Sequence, residues 1–265
     1  MKELTKENYY DDNEYMSFSK FKNFLANPAR ALADYKGEFD WFTNKTALLV
    51  GNYLHSYFEG EEAHEAFVKE NYTEMISSQG KTKGQLKKDY KIAQKMIDRL
   101  EVEPEFMQAM AGTERESIIT GTIGGVEWKG KTDALNVEKG YFIDFKTVRS
   151  LVDDGRVWSD EKKQRVTFIE NRKYEMQMAV YSELLRQKYG YDFTPIIWAV
   201  SKDDEPLAKP YVITPETRAA ALDDLEMSID TVLKYMSGEL EAPLINDGSS
   251  FYNKFHRVSG DYDEI

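Results

Sequence analysis

The chain has 265 residues, a formal net charge of −12, no cysteine and 31% charged residues, enough length for one sizeable core. The lack of cysteine excludes disulfides, thiolate catalysis and zinc or iron–sulfur sites built on Cys, so any metal must use oxygen and imidazole ligands. No apolar run approaches a membrane span, and the opening MKELTKENYYDDNEY lacks the apolar core of a secretory leader, so a cytoplasmic protein with no membrane partner is expected.

The acidic balance argues against broad affinity for nucleic acid, which rests on clustered Lys and Arg, but the charge is unevenly spread. Lys81, Lys83, Lys87, Lys88, Lys91 and Lys95 crowd one segment with only Asp89 opposing them, while acids gather at Asp203-Asp204-Glu205, from Asp223 to Glu226 and in the tail. A basic surface on an acidic protein follows, with Lys81, Lys83, Lys87 and Lys88 as candidate DNA contacts. A solvated face is the bland alternative.

Residues 1 to 15 read as loose. From Ser17 the text SFSKFKNFLANPARALADYKG reads as a helix capped by Ser17 or Ser19 and interrupted at Pro28, with Ser19, Lys20 and Arg30 as candidates to face an anion. Asn44 to Gly60 reads as the next helix, with Ala47, Val50, Gly51, Leu54 and Phe58 as its core stripe and His55 beside it. Gly51, one turn before His55, suggests a place where backbone or a metal site approaches closely. Helical character continues from Glu61 to Tyr72, gives way to a polar loop up to Lys83, and returns from Gly84 to about Met110 as one or two helices around Pro104.

Strand character opens at Glu114 to Thr122, where Glu114 and Glu116 share parity and are expected on one sheet face. After the Gly124-Gly125 turn comes a hairpin from Glu127 to Arg149, turning at Glu138-Lys139-Gly140. On it Asp144 and Lys146 share a face, and Asp133 on the neighbouring strand can be brought beside them, so two carboxylates and an ammonium converge. Asp34-Tyr35-Lys36, Asp89-Tyr90-Lys91 and Glu161-Lys162-Lys163 repeat the local pattern, but in segments that read as helix or loop. Only Asp144-Phe145-Lys146 follows an apolar strand and a separate upstream Asp.

Beyond it, a loop from Thr147 to about Asp160 is expected, then a long helix to near Gly190 with Gln177 and Tyr181 one turn apart. Strands from Thr194 to Ser201 and Leu207 to Ile213 precede a helix capped by Thr214 and ending near Gly238. The last stretch shows no period and is expected to be partly disordered. The whole predicts an α/β (α+β) fold, a central mixed sheet flanked by helices. It reads as one domain: a helical segment 17–43, a core at about 44–213, and a helix and tail 214–265.

The order His55, Glu116, Asp133, Asp144-Phe145-Lys146 and Gln177-x-x-x-Tyr181 resembles the PD-(D/E)xK nuclease superfamily, in its RecB-like branch. Within it the chain is most similar to phage and prophage exonucleases of the RecE (exonuclease VIII) kind, and more distantly to lambda exonuclease. The resemblance implies a restriction-endonuclease-like core and hydrolysis of linear double-stranded DNA from 5′ ends, leaving 3′ overhangs for recombination. It implies two Mg²⁺ ions, replaceable by Mn²⁺, held by His55, Glu116, Asp133, Asp144 and the Phe145 carbonyl, with Glu114 as the alternative to Glu116. Lys146 would act on the water and the transition state, and Gln177 and Tyr181 would orient the site. Ser19, Lys20 and Arg30 would grip a 5′-phosphate. A toroidal trimer or tetramer, a RecT-type annealing partner and a phage or prophage origin in a bacterial host also follow. A structure-specific endonuclease and a non-catalytic DNA-binding assembly subunit are the competing readings.

Overall fold

A computed structural model describes residues 3–40, 45–159 and 162–256. The expected helix start at Asn44, the loop end at Asp160 and the tail beyond 256 lie outside them.

Strand β1 (Met16–Ser17) leads into α1 (Phe18–Ala26), where the Ser17 hydroxyl accepts the Lys20 N–H. Helix α2 (Pro28–Tyr35) follows at once, capped by Asn27 with Pro28 in its first turn. Helices α3 (Lys45–Glu59), α4 (Glu61–Glu70), α5 (Tyr72–Met75), α6 (Lys88–Glu101) and α7 (Pro104–Met110) come next. Then come β2 (Glu114–Ile123), β3 (Val126–Asn136) and β4 (Tyr141–Val148). Three short elements, β5 (Val157–Ser159), β6 (Gln164–Val166) and α8 (Phe168–Asn171), precede the long helix α9 (Tyr174–Tyr189), which leads to β7 (Thr194–Ser201) and β8 (Ala208–Val212). Helices α10 (Pro215–Ser237) and α11 (Ser250–Phe255) close the described chain.

The sheet runs β1-β3-β4-β7-β8, with β2 paired to β3. It is mixed: β4 and β7 are parallel, as are β1 and β3, while the other pairs are antiparallel. Strand β2 lines one edge of β3 along nearly its whole length. The opposite edge is shared, by β1 at Trp128 and Lys129 and by β4 only from Ala134 to Asn136. Between these two contacts the β3 edge is open, and Asp133 stands where β3 and β4 part.

Alternation along β4 sends its side chains to two separate cores. Phe142 packs with Trp128, Leu135 and residues of α1, α9 and α10, whereas Ile143 and Phe145 pack with residues of α3, α6 and α7. Asp144 and Lys146, sharing parity with Phe142, therefore rise on the α9 side. Phe106 and Phe145 are almost wholly buried, and each such side chain contributes about 1.5–3 kcal/mol by leaving water. Along β3 strict alternation fails: Trp128 and Leu135 lie in the same core although an odd number of positions separates them. Opposite this irregular stretch Glu116 has φ +54°, a left-handed conformation that costs about 1–3 kcal/mol for a side-chain-bearing residue. The register is nevertheless the same on both sides, Arg115 with Ala134 and Ser117 with Thr132.

Four expectations are corrected. The stretch expected as one loop and one long helix contains the β5–β6 hairpin and α8, and α9 begins only at Tyr174, after Lys173 at φ +53°. Ala47 is exposed rather than in the α3 stripe, and a Cβ on Gly51 would meet nothing within 4 Å, so no close approach needs that glycine. The N-terminal residues are not loose where Tyr9 and Tyr15 are buried and the Lys129 ammonium bonds the carbonyls of Tyr9 and Asp12 at 2.5 and 2.7 Å. The segment after α10 is tied to the N-terminal helices: Asn27 donates to the Ile245 carbonyl at 3.0 Å and to Asp247 at 3.1 Å, and Phe251 is buried.

Candidate active site

The parting of β3 from β4 exposes one peptide N–H, that of Phe145, and Asp133 Oδ2 accepts it at 2.5 Å. Asp133 Oδ1 lies 2.9 Å from His55 Nδ1, which α3 brings across the open edge. Glu116 joins them from β2. One ligating atom from each of His55, Glu116 and Asp133 lies within 4.8 Å of the other two. The φ +54° of Glu116 accounts for this: it breaks the parity that would have paired Glu116 with Glu114, leaving Glu114 exposed and Glu116 buried. Glu114, the alternative, lies outside the group that His55, Glu116 and Asp133 form.

A second cluster sits on the α9 side of β4. Lys146 forms an ion pair with Asp144 Oδ2 and stands 4.7 Å from the centre of the Tyr174 ring. The Gln177 amide donates to Asp144 Oδ1 and to the Tyr181 hydroxyl, each at 3.2 Å. The two residues lie one turn apart on α9, as their spacing predicted. Tyr181 in turn lies against Gly130 of β3.

Electrostatics divide these groups. Burial works against a charged His55, yet the Asp133 carboxylate outweighs it and holds the imidazole pKa above 6.5. Burial likewise opposes ionised Asp133, but His55, and after it Lys146 and the Phe145 N–H, keep its pKa below the ordinary value. For Glu116 and Asp144 burial prevails and raises the pKa, with Asp133 adding to it. Lys146 is also buried, but Asp144, Tyr174 and Asp133 raise its pKa above the ordinary lysine value, so it stays an ammonium at neutral pH. Burial pushes the Tyr181 hydroxyl up to about 12, so it stays neutral while it accepts from Gln177.

A divalent cation fits this set. Carboxylate oxygens with an imidazole suit hard or borderline cations, and Glu116, whose pKa burial and Asp133 raise despite its ion pair with Lys131, gains from further positive charge. Asp144 Oδ2 is buried and receives no directed hydrogen bond, only the Lys146 ion pair. Of the expected ligand set, His55, Glu116 and Asp133 form a compact group among the described residues, Asp144 lies in the adjoining cluster with Lys146 and Gln177, and the Phe145 N–H donates to Asp133.

The expected phosphate grip does not assemble in this form. Ser19 is exposed, the Lys20 ammonium bonds the carbonyls of Asn13 and Tyr15, and Arg30 pairs with Asp247 at 3.3 Å. Lys81, Lys83, Lys87 and Lys88 are exposed, and Lys87 donates to the Thr73 carbonyl. Three residues at the site escaped the sequence reading. Lys131 pairs with Glu116 and donates to the Tyr10 hydroxyl at 2.8 Å; its spacing of two from Asp133 was the available signal. Gly130, a glycine inside a strand, was a signal of close approach. Tyr174, at the start of α9, faces the Lys146 ammonium, a contact that only the packing of α9 on β4 creates.

A family model described as a PDDEXK-like domain of unknown function (DUF3799) matches residues 17–244. The chain belongs to that family. It is thereby a member of the PD-(D/E)xK nuclease superfamily, with the mixed sheet and flanking helices of a restriction-endonuclease-like fold. A crystal structure of a candidate exonuclease from Eubacterium rectale superimposes on this PDDEXK-like chain with TM-score 0.85 at 29% identity, covering 99% of this chain and 97% of that one. A second solved structure, SSO0001, covers 76% of this chain and 98% of its own at 16% identity, with a TM-score of 0.29 that carries no argument. No curated protein matches the chain. Among the described residues of this PDDEXK-like protein no helix is long and apolar enough to cross a membrane.

Proposed function

We propose that this chain is a metal-dependent exonuclease that degrades linear duplex DNA from its 5′ ends and leaves 3′ overhangs. The observation that carries the nuclease part is the contact of Asp144 with both Lys146 and Gln177, set beside the His55, Asp133 and Glu116 group. The exonuclease part is supported by likeness to the Eubacterium rectale protein over nearly the whole of both chains.

His55, Glu116 and Asp133 would hold a divalent cation, Mg²⁺ or Mn²⁺, and Asp144 would complete a second ion's surroundings once phosphate oxygens are present. When bound, the cation supplies positive charge against the scissile phosphate and the leaving oxygen. The protein's own residues do the rest. Lys146, charged because Asp144 and Asp133 hold its proton, donates to a phosphate oxygen and offsets the charge that grows there, rather than acting as a base. Asp133 is kept ionised by His55 and pinned by the Phe145 N–H, so its orientation is set before substrate arrives. Gln177 and Tyr181 fix the Asp144 carboxylate.

The exposed Lys81, Lys83, Lys87 and Lys88, on a chain of net charge −12, suit a ring-shaped homo-oligomer with a basic channel and an acidic exterior. A RecT-type annealing protein would take over the 3′ strand. The deciding experiment incubates purified protein with end-labelled linear and with circular duplex DNA in Mg²⁺. Release of nucleotides from linear DNA alone supports the reading; nicking of the circle selects endonuclease, and no cleavage of either rejects catalysis.

A further inference from the structure

Lys22 is a half-buried cation with no anion of its own. It follows Phe18 by one turn of α1, and its ammonium stands 5.5 Å from the Phe18 ring and 6.0 Å from the Tyr174 ring. Lys146 approaches the same Tyr174 ring at 4.7 Å. Three lysines around the site have carboxylates: Lys146 has Asp144, Lys131 has Glu116, and Lys129 has Asp12 at 3.7 Å. Among the described residues the Lys22 side chain has ring contacts and neither a hydrogen bond nor an ion pair.

Arg172 is its counterpart. It lies in the turn that joins α8 to α9, two residues before Tyr174, and its guanidinium is exposed with no partner among the described residues. Burial, then Lys146, then Arg172 draw the Lys22 pKa down to about 8, with Asp144 opposing them. Holding Lys22 and Lys146 around one aromatic ring is costly without a further anion, and the cost is reduced when one binds.

We propose that Lys22, beside the Tyr174 ring, and Arg172, from the turn that leads into Tyr174, bind an internal phosphodiester of the DNA strand next to the phosphate at Lys146. The inference rests on the nuclease reading above and adds to it the residues that seat the strand. A phosphodiester and a terminal 5′-phosphate share the chemistry that would be recognised. The internal group is assigned because Lys22 and Lys146 approach the same ring, so a phosphate at Lys22 is a neighbour of the one at Lys146. Neither residue lies in the group expected to hold metal, so the strand is gripped independently of the ion.

The test measures binding of fluorescent linear DNA by anisotropy across a salt series, with Ca²⁺ in place of Mg²⁺ to suppress cleavage. Wild type, Lys22→Gln, Lys22→Arg and Arg172→Gln are compared on 5′-phosphoryl and 5′-hydroxyl DNA. Each Gln variant is expected to weaken binding and to flatten the slope of log K against log salt by about 0.7–0.9, one phosphate contact. Lys22→Arg restores binding, and Mn²⁺ affinity and melting temperature stay as in wild type. An equal loss on both kinds of end supports the internal phosphodiester, whereas a loss confined to 5′-phosphoryl DNA overturns that assignment in favour of the terminal group. An unchanged salt slope in folded variants overturns the inference while wild-type cleavage keeps the nuclease reading. A wild type that neither binds nor cleaves DNA overturns both.

Discussion

Tyr181 occupies the space that a Cβ on Gly130 would need, its Cε1 standing 2.6 Å from that position and its Cδ1 2.8 Å. The ring is buried and bonded through its hydroxyl to Gln177, which holds Asp144, so it cannot swing aside without disturbing the carboxylate. Gly130→Ala should therefore act at two levels. Overpacking should cost about 1–3 kcal/mol in denaturant unfolding, and activity should fall further than stability alone explains. Tyr181→Phe, which keeps the ring, should retain stability more nearly. If Gly130→Ala matched wild type in both assays, the coupling of the β3 backbone to Asp144 through Tyr181 would be wrong.

Lys146→Ala should abolish most cleavage, by at least about 10²-fold in rate, because its ammonium offsets charge on the phosphate. Mn²⁺ affinity should change little, since Lys146 is not a ligand. Near wild-type turnover in a folded Lys146→Ala protein would remove the catalytic reading of the hairpin.

Glu114 and Glu116 are two residues apart, yet only Glu116 is buried beside His55 and Asp133. Glu116→Gln should weaken Mn²⁺ binding and free Lys131 from its ion pair, whereas Glu114→Gln should leave the metal isotherm unchanged. Calorimetric titration of both variants decides, and the reverse pattern would return Glu114 to the site.

The His55–Asp133 pair makes metal binding depend on pH. The folded His55 pKa is raised above 6.5, so the pair's stabilisation is fully present below that value and is lost as pH rises through the folded pKa. The imidazolium must lose its proton to solvent before the ring can ligate a cation, so Mn²⁺ affinity should rise with pH through the same window, by at most about tenfold per unit. Titrations between about pH 5.5 and 8.5 should show this slope in wild type and a shallower one in His55→Ala. Equal slopes would remove His55 from the ligand set.

Arg218 of α10 is buried and donates to both Asp192 oxygens, at 2.8 and 2.7 Å, and to the Phe193 carbonyl at 3.1 Å. Asp192 is 57% exposed and can return to water, so Arg218→Ala mainly strands the carbonyl, at about 1–3 kcal/mol. A lowered melting temperature with unchanged KM is expected. Loss of substrate affinity at unchanged stability would give Arg218 a role this fold does not assign it.

The sequence by itself determined the elements whose signals are local. Alternation and a two-residue offset put Asp144 and Lys146 on one face, a four-residue offset aligned Gln177 with Tyr181, and Thr214-Pro215 with Gly238 bounded α10. Those are properties of neighbouring dihedrals, readable without a fold. The tertiary structure decided what depends on which strands meet and where they part. Parity predicted Glu114 and Glu116 together, but a single left-handed residue opposite the irregular stretch of β3 separated them. The gap at Asp133 arises because β4 covers only the end of β3, and no local pattern encodes where pairing stops. Arg30 was legible as a cation but not as the partner of Asp247, more than two hundred residues away, and Lys22 became visible only when α1 and α9 closed on the same ring. Side-chain type and spacing fix the chemistry a residue can offer; the company it keeps is set by contacts between segments distant in the chain.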